Sequence, residues 1–269
     1  MNSQTLSDII KNNERNHEIK VNYDNFLIIR IDGHKFSKFT KRFKKPFDMI
    51  LSNTMENTSR DLIEKFGCSS AYTQSDEITL FFPPVFNDND TVIINNQIFG
   101  GRTQKIASLV ASYTSIRFNY WFNKEYENTM FDENESDYRT VIENHIGTAW
   151  FDARVFGVRT KEDAFNVFKW RALDAIKNSL SMFAQAYCSH RSLLNKSGKE
   201  QIAFCLETTG NDWNLAEDRF KYGILIKKER FMKNTEYGLV ERTHIISFSR
   251  NDWCDCSEEN IDFIISKKL

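Results

Sequence analysis

Short apolar segments alternate along the chain with longer stretches in which apolar residues recur every three or four positions. Residues 26–31 form a nearly continuous, β-branched apolar run that ends at Asp32-Gly33, a pattern that predicts a buried strand followed by a turn. Beyond Pro46, apolar positions keep to one helical face as far as Gly67, which favours a helix with a glycine stop. The chain therefore begins with a strand and a helix that returns across the sheet.

The next segment has the pattern of a β-hairpin. Residues 71–73 and 78–82 are strand-like and flank a polar Gln-Ser-Asp-Glu tetrapeptide, as expected for antiparallel strands joined by a tight turn. A helix at about 102–122 and a strand at 150–158 follow. The order βαββαβ is that of a ferredoxin-like split motif, which places an antiparallel sheet under two helices and is used by polymerase palms. We predict an α/β (α+β) fold of this type.

The rest of the chain is predicted to extend this palm. A polar, acid-rich stretch at 125–137 predicts an exposed loop. Three later elements are expected: a capped helix from Thr160 to about residue 188, a helix at 199–206, and a hairpin of strands 222–226 and 244–248. No Pro- or Ser-rich linker divides the chain, so we predict a single catalytic domain over 1–269, with a palm core at about 20–160 and a C-terminal helical and hairpin extension at about 160–269.

The composition is that of an ordinary folded protein, with 41% hydrophobic and 27% charged residues among 269. No apolar run approaches the roughly 18–20 residues of a membrane span, so we expect no membrane partner and a cytoplasmic protein, with a mitochondrial location left open. The five scattered cysteines predict free thiols. Cys254 and Cys256 form a close pair, but no second pair completes a zinc site by spacing.

The formal net charge of −1 does not indicate a protein that binds nucleic acid with its whole surface. Any such partner must meet a local patch, and residues 35–45 supply one, with six Lys or Arg side chains, three phenylalanines and no acidic residue. A solvated helix face carrying buried phenylalanines has the same pattern. Composition alone leaves the two interpretations equal.

Two acidic positions carry the candidate chemistry. The predicted topology brings the carboxyl end of the first strand beside the hairpin tip, so Asp32 and Asp76 can converge. Two close carboxylates repel unless a proton or a divalent cation lies between them, and hard oxygen ligands select Mg²⁺. Two Mg²⁺ ions about 4 Å apart are the usual means of nucleotidyl transfer. Taken one at a time, however, Asp-Gly and Ser-Asp-Glu are ordinary turn signals.

Several motifs resemble the tRNA-histidine guanylyltransferase superfamily, and most closely its guanylyltransferase-like branch of 3′-to-5′ polymerases. The motifs are Arg30-Ile31-Asp32-Gly33, Lys45-Pro46-Phe47-Asp48, Ala71-Tyr72-Thr73-Gln74-Ser75-Asp76-Glu77, Phe151-Asp152-Ala153-Arg154, Trp170-Arg171-Ala172-Leu173-Asp174 and Asn178-Ser179. The resemblance implies an enzyme that activates an RNA 5′ end with ATP or GTP. A further nucleotide is then added to that end. It also implies two Mg²⁺ ions and a homotetramer.

The resemblance also implies roles for particular residues. It gives Asp32, Asp76 and Glu77 as catalytic residues, and Asp32, the Gly33 carbonyl and Asp76 as metal ligands. The nucleotide-binding residues that it implies are Asp32, Gly33, His34, Lys35, Phe36, Ser37, Lys45, Asp48, Ser75 and Asp76. Candidate RNA contacts are Arg30, Lys38, Lys41, Arg42, Arg154, Asn178, His190, Arg191 and Lys196. The basic cluster of His190, Arg191 and Lys196 also has the pattern of a plain surface loop.

Two departures from the family pattern bear on the substrate. The family usually has Asp-Gly-Arg-x-Phe-His, where this chain has His34 and Ser37 in place of the Arg and the His. The eukaryotic His-Ile-Asn-Asn motif is matched by residues 176–179, Ile-Lys-Asn-Ser. These departures favour template-dependent repair of tRNA or tRNA-like RNA 5′ ends over the alternative, addition of an extra 5′ guanosine to histidine tRNA. A nucleotide cyclase and an inactive RNA-binding palm are remoter alternatives.

Overall fold

A computed structural model of the protein describes residues 5–85, 97–236, 238–253, 255 and 257–265. Cys254 and Cys256, which by spacing alone complete no zinc site, lie outside these residues, while Cys188 and Cys205 are free thiols. The strands are β1 (Phe26–Gly33), β2 (Ser70–Gln74), β3 (Glu77–Phe82), β4 (Phe151–Val158), β5 (Ile224–Thr235) and β6 (Gly238–Phe248). The α-helices are α1 (Leu6–Asn16), α2 (Phe36–Phe39), α3 (Met49–Phe66), α4 (Thr103–Asn128), α5 (Ser136–His145), α6 (Lys161–Tyr187), α7 (His190–Leu193), α8 (Gly198–Thr209), α9 (Asp218–Tyr222) and α10 (Glu258–Ile265).

The predicted ferredoxin-like palm is confirmed. Strands β1 to β4, with α3 and α4 between them, form an antiparallel sheet in the order β4-β1-β3-β2. Strand β1 lies at its centre, and the pairing places Asp32 opposite Glu77 of β3 and opposite Asp152 of β4. The carboxylate at the end of β1 is therefore flanked on both sides by acidic residues of neighbouring strands.

The sheet is buried on both faces. Leu27, Ile29 and Ile31 of β1 belong to a core formed with α3 and α4, whereas Ile28 belongs to a second core formed with α6. This arrangement explains the nearly continuous apolar run of β1, because a strand covered on both faces has no solvated side. Since Asp32 follows Ile31 in the strand alternation, its side chain lies on the α6 face.

The C-terminal extension continues the palm sheet, because β5 pairs with β2. The predicted late hairpin is present but longer than expected: the β5–β6 register runs from Leu225↔Phe248 out to Thr235↔Gly238. The predicted strand start at Tyr222 was wrong, since that residue ends α9. The distal half of the hairpin is exposed, so its apolar side chains show no alternation between a buried and a solvated face, and backbone hydrogen bonds define it instead.

The prediction of an exposed loop at 125–137 was also wrong in part. Helix α4 continues to Asn128, and Asp132 and Glu135 form a capping box just before α5. Phe131 packs on Tyr126 and Tyr138, which draws the acidic segment onto the α3–α4 core. Within the described residues, none of the helices combines the length and apolar character that crossing a membrane requires.

Candidate active site

The carboxyl end of β1 and the tip of the β2–β3 hairpin meet in the structure. The backbone N–H of Gly33 donates to the Asp76 carbonyl at 3.1 Å, which fixes the two segments against each other. Position 33 requires glycine for a steric reason, because a Cβ atom there would lie 2.3 Å from the Phe36 ring. The topology predicts that Asp32 and Asp76 converge, and this backbone hydrogen bond joins the two segments that carry them.

The Asp76 carboxyl is the electrostatically perturbed group of this site. Its pKa is raised to about 6, mainly by burial and to a lesser extent by the nearby charge of Asp32, while a hydrogen bond from Ser75 at 3.1 Å and the charge of Arg171 oppose the shift. Desolvation disfavours the charged form of a carboxyl group, and a neighbouring carboxylate adds to that cost. A cation bound between the two carboxylates would offset both effects.

The donor chemistry at this strand end fits Mg²⁺. Two carboxylates and a backbone carbonyl are hard oxygen ligands, and Mg²⁺ sites characteristically use one or two carboxylates together with substrate phosphates. Within the described part of the chain, no group of three or more His, Cys, Asp or Glu side chains is arranged to hold a metal. The fit therefore rests on Asp32, the Gly33 carbonyl and Asp76.

A cleft of about 550 Å³ opens beside the hairpin tip. Its lining brings together seven of the residues proposed from the sequence to bind nucleotide: Gly33, Lys35, Phe36, Ser37, Lys45, Ser75 and Asp76. Thr40 and Met182 also line it and were not anticipated. Two exposed lysines beside a half-buried carboxylate give the cleft the charge distribution that a metal-bound triphosphate requires.

The basic segment at 35–45 has features of both structures that its sequence allowed, a basic patch for a phosphate-bearing partner and a solvated face with buried phenylalanines. The rings of Phe36, Phe39 and Phe43 pack in the core with those of α4, so the phenylalanines are structural. The lysines of the segment are exposed, and two of them face the cleft. Because the Phe36 ring points into the core, only its backbone is available to a phosphate group.

Three predicted nucleotide-binding residues, Asp32, His34 and Asp48, do not line this cleft. Asp48 is buried and accepts hydrogen bonds from the backbone N–H groups of Lys44 and Leu51, both at 3.0 Å, and from the Tyr138 hydroxyl at 2.6 Å. Burial and the Asp48 charge raise the pKa of the Tyr138 hydroxyl, which keeps it a donor. Asp48 therefore ties the basic segment to the start of α3 and also borders a small, largely apolar cavity next to the cleft.

Glu77 is held by two arginines. Arg171 of α6, which is buried, forms an ion pair with Glu77 and a second one with Asp174 at 3.3 Å, while Arg30 lies 3.6 Å from Glu77. The Trp170 ring stacks against both guanidinium groups, at 4.6 and 4.7 Å. The role of Arg30 in RNA binding stays a prediction, since its side chain is engaged beside the carboxylates. The part played by Arg171 was not predicted, because the contact depends on how α6 packs on the sheet.

The remaining candidate RNA contacts lie on the surface around the cleft and beyond it. Arg154 is exposed and 4.0 Å from Asp152, and Asn178 donates to Asp174 at 3.1 Å on the outer face of α6. Lys196 lies over the Phe204 ring at 5.1 Å. The other five are exposed side chains: Lys38, Lys41, Arg42, His190 and Arg191. None of these positions is tested by a bound molecule, and their RNA contacts stay predictions.

Known proteins share this fold and sequence. The profile of the tRNAHis guanylyltransferase (Thg1) family matches residues 7–159. An uncharacterized protein of Acanthamoeba polyphaga mimivirus is 34% identical over 231 residues, covering 84% of this chain and 78% of that protein. The tRNA(His) guanylyltransferase of Debaryomyces hansenii is 25% identical over 221 residues, covering 77% and 74%.

Solved structures with a similar fold belong to the same kind of protein. The bacterial tRNA(His) guanylyltransferase (Thg1)-like protein in complex with ATP superimposes with a TM-score of 0.70 at 28% identity, over 88% of this chain and 92% of that one. The corresponding complex with GTP gives a TM-score of 0.64 at 29% identity, over 89% and 90%. The palm topology and the acidic strand end beside a basic cleft define the class, a palm-fold nucleotidyltransferase. The chain belongs to the tRNAHis guanylyltransferase family.

Proposed function

We propose that the protein adds a nucleotide to the 5′ end of tRNA, with ATP or GTP as substrates and Mg²⁺ at the end of β1. The observation that carries this proposal is the junction of Asp32-Gly33 with Asp76 at the mouth of a basic cleft. The similar bacterial proteins were solved with ATP and with GTP, which supports a triphosphate in the cleft of this chain. Histidine tRNA is the substrate that the named relatives favour.

Each part of the site has a distinct task in this reaction. Asp32, the Gly33 carbonyl and Asp76 would hold Mg²⁺, which neutralises phosphate charge and activates the attacking oxygen in in-line nucleotidyl transfer. Lys35 and Lys45, with the backbone from Gly33 to Ser37, bind the triphosphate.

Supporting contacts keep these ligands in place. Arg171 holds Glu77 opposite Asp32, which orients the carboxylates before substrate arrives. Asp48 holds the basic segment in the position from which its lysines reach the cleft.

Template-dependent repair of 5′-truncated RNA is the second candidate. The departure of residues 176–179 from the His-Ile-Asn-Asn motif favours this reaction. In the structure Asn178 is exposed on α6 near the hairpin tip, and Ser179 is buried, where it accepts a hydrogen bond from the Trp213 indole at 3.0 Å. The comparisons favour the histidine-tRNA reaction over repair, so we place repair second.

A substrate panel tests the proposal. Purified protein is incubated with Mg²⁺, all four nucleoside triphosphates and one of three 5′-monophosphorylated RNAs: full-length histidine tRNA, another tRNA lacking its first nucleotide, or an unstructured RNA. Guanosine addition to histidine tRNA independent of the opposing base supports the first candidate, and addition that follows the opposing base on truncated tRNA supports repair.

The controls address the site itself. Asp76→Asn is expected to abolish addition, while Asp137→Asn, an exposed change in α5, is expected to leave it unchanged. Addition that survives Asp76→Asn, or formation of a cyclic nucleotide without RNA, contradicts the proposal. We further propose that residues 1–269 act as one catalytic domain within a homotetramer, which light scattering of the purified protein tests, and that the enzyme works in the cytoplasm.

A further inference from the structure

Trp150 is an exposed aromatic residue at the edge of the candidate active site. Its side chain is 61% exposed, although its chain neighbours Ala149 and Phe151 are buried. Residue 151 pairs with Gly33 across β1 and β4, so Trp150 lies directly beside the strand end that carries the proposed metal ligands. A large apolar ring left in solvent at such a place has no role in the cores described above.

The structure holds the backbone that carries this ring in a fixed position. The Asn119 side chain donates to the Ala149 carbonyl at 2.7 Å and accepts from the Ala149 N–H at 3.1 Å, and Ser115 Oγ accepts from the Phe151 N–H at 3.0 Å. Two side chains of α4 thus fasten the backbone on both sides of Trp150. A stacking surface benefits from such rigidity, because little backbone freedom remains to be lost on binding.

His34 completes the surface. Its backbone N–H donates to the Trp150 carbonyl at 2.9 Å, and the two rings meet edge to face with centroids 4.6 Å apart. His34 directly follows Gly33, and Lys35, which is exposed, comes next. The aromatic pair is therefore continuous with the Asp-Gly turn and has a cation beside it.

The pair lies outside the nucleotide cleft. Gly33, Lys35, Ser37, Lys45 and the hairpin tip line that cleft, whereas His34 and Trp150 do not. In a transfer reaction the second reactant must approach the same strand end from outside the cleft. Aromatic rings stack on any nucleobase with little regard to sequence, whereas hydrogen-bonding grooves read specific edges.

We propose that Trp150, braced by His34, is the stacking platform for the 5′-terminal base of the RNA substrate. The proposal rests on the function proposed above. The terminal phosphate of the RNA reacts at the Asp32–Asp76 junction, and the base of the same nucleotide stacks on the exposed indole beside it. His34→Ala is expected to weaken RNA binding less than Trp150→Ser, because it removes the brace and leaves the ring.

The test alters the protein and the RNA, first one at a time and then together. Dissociation constants are measured for wild type and Trp150→Ser with a 5′-monophosphorylated tRNA and with the same tRNA carrying an abasic 5′-terminal nucleotide. Base–aromatic stacking of about 1–3 kcal/mol corresponds to about 5- to 150-fold in affinity. We expect about tenfold weaker binding from either change alone and no further loss when both are combined, with Trp150→Phe between wild type and Trp150→Ser.

Phe231→Ser is the matched control. Phe231 and His244 form another exposed edge-to-face pair, with centroids 4.9 Å apart, on the distal part of the β5–β6 hairpin. RNA affinity and the KM for ATP are expected to stay unchanged in this variant. The KM for ATP is also expected to stay unchanged in Trp150→Ser.

Four results would overturn the proposal that Trp150 is a stacking platform. Two concern RNA binding: wild-type RNA affinity in Trp150→Ser, or additive losses when the variant is combined with the abasic RNA. The other two are a raised KM for ATP instead of weaker RNA binding, and a changed molecular mass of Trp150→Ser in light scattering, which would assign the ring to a subunit contact. Binding is measured without catalysis, so the two proposals separate. If Trp150 and the terminal base are coupled but wild type adds no nucleotide, the platform is supported and the proposed reaction is contradicted.

Discussion

Replacing Asp76 by asparagine should stabilise the metal-free protein while abolishing its activity. The pKa of Asp76 is raised from 3.8 to about 6, mainly by burial. Because the folded-state pKa lies above the unfolded-state value, the charged carboxylate destabilises the fold. This cost is absent below pH 3.8 and complete above about pH 6. Asparagine is nearly isosteric and still accepts the Ser75 hydrogen bond, so it removes the charge and little else.

The magnitude follows from the shift. Linkage gives a cost of about 3 kcal/mol at pH 7.5 and about 1.5 kcal/mol at pH 5. We therefore expect Asp76→Asn to be more stable than wild type by up to about 3 kcal/mol in EDTA at pH 7.5, with roughly half that gain at pH 5. Adding Mg²⁺ should raise the stability of wild type and should not raise that of the variant, because ligand binding stabilises only a state that binds it.

Urea unfolding at the two pH values measures these differences. Asp152→Asn is the matched control, since this carboxylate lies opposite Asp32 on β4 but is exposed, and its removal should change the free energy of unfolding by less than about 0.5 kcal/mol. A variant no more stable than wild type at pH 7.5, or a gain that does not shrink at pH 5, would refute the argument that burial destabilises the Asp76 carboxylate.

Three further changes test the surrounding structure. Arg171→Met should lower the free energy of unfolding by about 1.5–3 kcal/mol, since it leaves Glu77 half-buried and without its main ion pair, and a urea curve matching wild type would contradict this. Gly33→Ala should cost about 1–3 kcal/mol and reduce nucleotide addition, because its methyl group would overlap the Phe36 ring; unchanged thermal unfolding and activity would show that the ring can move. Burial lowers the pKa of Lys227 from 10.5 to about 8, so the penalty for its charge is complete below about pH 8 and disappears toward pH 10.5. Lys227→Met removes this penalty and also the hydrogen bond from Nζ to the Phe263 carbonyl, which costs about 1 kcal/mol at every pH. The stability of the variant relative to wild type should therefore fall by about 2–3 kcal/mol between pH 7 and pH 10, and a pH-independent difference would contradict it.

Local patterns predicted the parts of the fold that depend on neighbouring residues. The strand before Asp32, the helix that ends at Gly67 and the hairpin around Asp76 all follow from short-range periodicity and turn chemistry. The ferredoxin-like order then brought the acidic positions to one sheet end without further information. Helix α1 escaped prediction because its apolar side chains are exposed in the structure, so it has no buried face of the usual kind.

The remainder of the site depends on packing between distant segments. Arg171 reaches Glu77 only because α6 lies across the sheet, and 94 positions separate the two residues in the chain (171 − 77). The setting of Trp150 depends in the same way on Ser115 and Asn119 of α4. Single-sequence periodicity reports which face of an element is buried and not which partner covers it. The family motifs include Trp170 and Arg171, but only the packing of α6 on the sheet brings them to Glu77.

The pairing of β5 with β2 has a consequence for how the chain can be divided. The family profile ends at residue 159, after β4, which suggests a convenient place to truncate the protein. A fragment cut there would leave the β5-facing edge of β2 unpaired along residues 70–73 and would strip α6 from Tyr72 and Phe81. Unpaired apolar strand edges recruit other chains, so such a fragment would be prone to aggregate. In this protein the C-terminal extension covers the otherwise open edge of the catalytic sheet. A protein shortened to the palm would need a designed segment to replace β5 and α6.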